Sequence, residues 1–141
     1  MGWWGQMAFD NDEALDWAGD LFEFETKTPV EVVDELRRVL REALRANPID
    51  VRTGTLAIPA AEIVAASRGR RRAHLPDYVN AWVKKHGNLL GTQDARLAMD
   101  ALFLLTSIHS GVTRMWQGDD LTKFERYLNG LRVRVKNACR R

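Results

Sequence analysis

Apolar residues recur every three to four positions along most of this chain, and the recurrences open on helix-start signals. Thr28-Pro29-Val30-Glu31 is the clearest. Thr28 is an N-cap, Pro29 at the first helical position loses no hydrogen bond, and Glu31 reaches back to complete a capping box. Behind it Val32, Val33, Leu36, Val39, Leu40, Ala43 and Leu44 share one face, and Asn47-Pro48 ends the run. Leu97, Ala98, Ala101, Leu102, Leu104, Leu105 and Ile108 cover more than half of a helix circumference, which marks a nearly buried, central helix near 93–110. Leu121, Phe124, Leu128, Leu131, Val135 and Ala138 form a regular seam to the end. Leu131–Val135 alternates, but the seam continues through it on both sides, so it reads as helix. The expected fold class is all-α, a compact bundle of five to seven helices.

The other helices are set by punctuation. Asp10 is expected to cap a helix over Asn11–Glu25, with Glu13 closing a box and Phe9 and Ala14 at the positions of a hydrophobic staple. Ala14, Leu15, Ala18, Leu21 and Phe22 make its stripe. Trp17 and Phe24 fall off that stripe, which predicts cover on two sides. Gly19 in its interior points to a close neighbour, Trp3 or Trp4. A proline is tolerated in a first turn, so Pro59 places helix three at about Pro59–Arg68, stopped by Gly69, with an earlier start at Thr55 as the alternative. Helix four spans about Asp77–His86 with Gly87 at C′, Thr92 caps helix five, and Gly111 marks a break before Val112–Trp116.

Three of the five tryptophans lie in the first seventeen residues. Trp3 and Trp4 are too large to leave in water, which predicts that the opening docks onto the bundle through Trp4, Phe9 and Trp17. The segment resembles a family of small bacterial proteins that carry a domain of unknown function and open Met-Gly-x-Trp-Gly-x-Gly-x-Phe-Asp-Asn-Asp. Met1, Gly2, Trp4, Gly5, Phe9, Asp10, Asn11, Asp12, Ala14, Asp16 and Trp17 match without a gap, while Met7 stands where the family has glycine. A weaker likeness runs through Trp82 and Met115-Trp116 to the last helix. The resemblance implies an all-helical bacterial domain and brings no catalytic residue with it.

A chain of 141 residues is expected to be a single domain, 1–141, large enough to fold around its own core without metal or disulfide. The lone cysteine, Cys139, cannot form an internal disulfide and points to a reducing compartment. No basic n-region opens the chain, and no apolar run is long enough to span a bilayer. The expectation is a cytoplasmic protein with no membrane partner.

Site chemistry is sparse. His74, His86 and His109 are far apart, and no Cys–His spacing suits zinc. Ser107 to Ser110 flank His109, but neighbours one apart on a helix do not face each other. No phosphate-binding glycine loop is present, and Asp10-Asn11-Asp12 lacks the glycine and distal glutamate of a calcium loop. The reading is therefore not an enzyme, with no cofactor, no metal and no catalytic residue. An enzyme built on acidic residues and His109 ranks third.

The net charge of +2 conceals a gradient, because seven acids precede Lys27, the first base, and the far end is basic. Asp12, Asp16 and Asp20 share one helix face at i, i+4, i+8, where like charges repel unless bases or a partner compensate. A partner surface, a solvated or internally paired face and a weak cation site are the three readings. The leading function is a non-enzymatic bacterial protein-binding module that uses these aspartates. Its most concrete version is an immunity protein covering a basic toxin domain. The alternative is a nucleic-acid-associated protein that uses the exposed basic loop 68–72, with Arg70, Arg71 and Arg72, together with the basic last helix.

Overall fold

A computed structural model of the chain describes residues 7–24, 26–45, 50–70, 75–106, 116 and 118–140. Six α-helices appear among them: α1 Asp12–Ala18, α2 Pro29–Arg45, α3 Val51–Ser67, α4 Asp77–His86, α5 Thr92–Leu105 and α6 Gly118–Ala138. No strand occurs among the described residues. The protein is an all-α bundle.

Local chemistry sets α2 where the sequence puts it. The Glu31 carboxylate accepts from the Thr28 N–H at 2.8 Å, and the Thr28 hydroxyl accepts from the Glu31 N–H at 3.1 Å. Val32, Val33, Leu36, Val39, Leu40 and Ala43 are buried along one face. The last helix keeps its seam, with Phe124, Leu128, Leu131, Val135 and Ala138 buried.

The first helix departs from expectation in two ways. Its N-cap is Asn11, whose buried side chain accepts from the Ala14 N–H at 2.8 Å. Asp10 instead turns back to accept from the Met7 N–H at 3.1 Å, so the box to Glu13 does not form on it, while Phe9 and Ala14 are both buried in the core. The helix then widens into a π-helical turn over Gly19–Glu23. The wider turn shifts the angular register of the residues behind it. Phe24, off the stripe and expected to be covered, is 64% exposed. Trp17, half-buried, donates its indole N–H to Glu35 on α2 at 2.9 Å. Gly2, Trp3, Trp4 and Gly5 lie outside the described residues.

The most enclosed helix is α3. From Gly54 to Ala66 every residue except Leu56 is buried, Pro59 included. The helix starts eight residues earlier than Pro59 suggested, with Asp50 as N-cap accepting from the Thr53 N–H at 2.7 Å. An interior proline costs about 3 kcal/mol. Burial of a 17-residue helix on all sides outweighs that local preference. The C-terminus closes as the sequence suggested: Gly69 adopts φ 82°, and the N–H groups of Gly69 and Arg70 bond to Ala66 and Ala65. Helix α5, expected at the centre, does lie in the core, with Leu102 and Leu105 fully buried. It packs against α2, α3 and α6 but leaves Phe103 exposed. Its cap is Gly91 rather than Thr92, and the Asp94 carboxylate reaches back to the Gly91 N–H at 2.9 Å. The expected extension to Ile108 and the break at Gly111 lie outside the described residues. Gly87 ends α4 at φ −60° and leads into a 3₁₀ turn over Gly87–Leu89, so it is not the left-handed C′ residue expected.

Candidate functional site

Asp12, Asp16 and Asp20 are all exposed, on the outer side of α1 and its π-helical turn. None of them enters an ion pair among the described residues. Pairing of the acidic first helix with the basic last helix, one of the readings left open by the charge gradient, is not seen among the described residues. Glu13, on the same helix, pairs with Arg52 at the start of α3, at 3.3 Å. Exposed Phe24 comes directly after Glu23, and Asp20, Trp17, Phe24 and Glu35 border a shallow depression. Carboxylates and an exposed aromatic ring thus share one side of the molecule.

Of the basic loop, Arg70 is exposed, while Arg71 and Arg72 lie outside the described residues. Three bases of α3's end and of α6 have partners. Arg68 donates to the Ala138 carbonyl at 3.2 Å, and Arg132 lies over the Phe103 ring at 5.8 Å. Arg134 donates to the Arg70 carbonyl at 3.4 Å and is mainly held by Glu62.

Glu62 is the one charged residue in the stretch Leu56–Ser67, and it is 2% exposed. Arg134 grips it with two bonds, to Oε1 at 2.7 Å and to Oε2 at 2.9 Å. The Tyr127 hydroxyl donates to the same Oε2 and accepts from the Ala8 N–H at 3.2 Å. Burial, reinforced by the neighbouring carboxylate, holds the Tyr127 phenol well above its ordinary range. A second buried carboxylate, Asp94, takes Nε of Arg37 at 2.7 Å and Nη2 at 3.2 Å. Burial pushes the Asp94 carboxyl up, but the two arginine bonds and the Gly91 N–H outweigh it and leave it lowered. Both pairs join helices far apart in sequence, and a sequence reading misses their partners. The one available signal was a lone carboxylate inside an Ala- and Ile-rich helix. Such a group must be paired or neutral.

Among the described residues no group of three or more His, Cys, Asp or Glu side chains is placed to hold a metal ion. Nor is any helix there long and apolar enough to cross a membrane. His86 is half-buried beside Trp82, with ring centroids 5.8 Å apart; His74 and His109 lie outside the described residues.

No curated protein and no solved structure matches the chain. One family model does, over residues 2–126, that of a domain of unknown function, DUF4259. That match runs from the opening segment into α6 and takes in the acidic face, α3 and the basic loop, so the chain belongs to the DUF4259 family.

Proposed function

We propose that this protein is a non-enzymatic bacterial protein-binding module, acting in the cytoplasm, whose contact surface is the acidic side of the first helix. The observation that carries this reading is the exposure of Asp12, Asp16 and Asp20 without an ion pair among the described residues. Three like charges on one helix face repel one another. A basic partner relieves that repulsion and is steered toward the face over a distance set by the Debye length. Phe24, beside the ridge, supplies apolar contact area of the kind that anchors protein interfaces. Immunity against a basic toxin domain is the concrete version.

Two further features support binding over catalysis or nucleic-acid contact. The most reactive-looking constellation, Glu62 with Tyr127 and Arg134, is buried with both carboxylate oxygens engaged, which suits holding helices together. Arg68 and Arg134, beside the basic loop, have partners within the fold, which leaves fewer free cations at that loop for phosphates.

The test is a reversal of Asp12, Asp16 and Asp20 to Lys, titrated against the product of the adjacent gene and against duplex DNA at two salt concentrations. Slower association with the protein partner, with the gap from wild type narrowing as salt rises, supports the proposal. Tight DNA binding by wild type that weakens when Arg70, Arg71 and Arg72 become Ala favours the nucleic-acid alternative. A reversal that leaves partner association unchanged removes the acidic face from the function.

A further inference from the structure

A groove of about 380 Å3 lies between the π-helical turn and α4. Phe22 and Trp82 meet edge to face in it, with centroids 5.5 Å apart, and Tyr78 and Pro29 extend the apolar lining. The size is that of a small-molecule site, and so is the make-up of aromatic walls with a few polar groups.

The polar groups are unbalanced. Lys27, Lys85, His86, Tyr78 and Trp82 all carry N–H or O–H donors, and Glu23 is the one carboxylate among the lining residues. Lys85 forms no ion pair among the described residues and is exposed, whereas the charge of Lys27 also acts on Glu31 and Glu35 of α2. The Tyr78 hydroxyl has no hydrogen-bond partner among the described residues. Burial, with Glu23 and Asp16 adding negative potential, raises its pKa. One end of the groove is therefore negative and the other, at Lys85 and His86, is rich in cationic and donor groups. A ring lying between them with an anionic group at the second end meets the Lys85 ammonium and the His86 imidazole there.

We infer that this groove binds a small aromatic carboxylate, with its ring against Trp82 and Phe22 and its carboxylate toward Lys85 and His86. None of Asp12, Asp16 and Asp20 lines the groove, so the inference stands whether or not those residues bind a partner. The probe is indole-3-acetate, titrated into the full chain at low salt by calorimetry, with tryptamine as the cationic control of the same ring. Thirteen heavy atoms at roughly 0.3 kcal/mol each correspond to a Kd of about 1 mM. Saturable binding of indole-3-acetate near that value, and at least about fivefold weaker binding of tryptamine, is expected. Lys85→Glu should weaken the acid by about fivefold or more, while Lys84→Glu, whose side chain does not line the groove, should not. Ala81→Phe, at an exposed lining position, should block binding without disturbing the core. Circular dichroism verifies that each variant is folded. No saturation by ~10 mM, equal affinity for acid and amine, or equal effects of the two lysine reversals would overturn the inference.

Discussion

Tyr127 on α6 donates its hydroxyl proton to Glu62 on α3, and the same oxygen accepts the backbone N–H of Ala8. One phenol thus joins the last helix, the most enclosed helix and the segment leading into α1. Arg134, about two turns further along α6, completes the charge balance. A buried ion pair is not in itself a gain over apolar packing, but removing one member leaves an uncompensated charge.

Arg134→Met is accordingly expected to destabilise the protein by about 3–5 kcal/mol, because Glu62 stays buried without its cation. Adding Glu62→Met should restore part of the loss. Urea denaturation of the two single variants and the double variant measures the coupling, which should exceed ~0.5 kcal/mol. Additive losses would show that the pair is not acting as a unit.

Tyr127→Phe should cost about 1–3 kcal/mol, since it leaves the Ala8 N–H without its acceptor. Hydrogen exchange at Ala8 should accelerate in the variant. Unchanged protection there would mean that Tyr127 does not secure the opening segment.

The Asp94–Arg37 pair predicts an acid-side loss of stability. The folded carboxyl is held below its ordinary value of 3.8 by Arg37 and the Gly91 N–H, against the upward push of burial. A lowered folded value means that the contribution is fully present above 3.8 and fades as pH falls through the folded pKa. The stability gap between wild type and Asp94→Asn should therefore hold steady above about pH 5 and shrink on acidification. A gap that widens toward low pH contradicts the sign.

Caps separate Asn11 from Asp10. Asn11→Ala should cost about 0.5–2 kcal/mol through the bond lost to the Ala14 N–H. Asp10→Ala should cost less, because its partner, the Met7 N–H, lies outside the helix. Thermal melts of the two variants give the order directly.

Packing gives the last expectation. Leu102→Ala and Ile58→Ala each remove a fully buried side chain, from α5 and from α3, and should cost about 2–5 kcal/mol. A loss under ~1 kcal/mol at either would place that helix at the periphery.

What the sequence determined by itself was local. Thr28 and Glu31 cap each other because the groups involved are three residues apart, and Gly69 stops α3 because only a residue without Cβ readily takes its φ of 82°. The apolar seam of α6 and the all-α class were legible for the same reason: a helix face is set by spacing within one segment. Tertiary packing decided the rest. It carried α3 through Pro59 by burying that helix on all sides, and it left Phe24, off the apolar stripe of the first helix, without cover at the surface. It also gave Glu62 its partners from 65 and 72 residues away and left Asp12, Asp16 and Asp20 in water. A carboxylate in an apolar run must find a cation or a donor, but which one depends on which helices lie alongside. That is a property of the packed bundle, and spacing along the chain does not encode it.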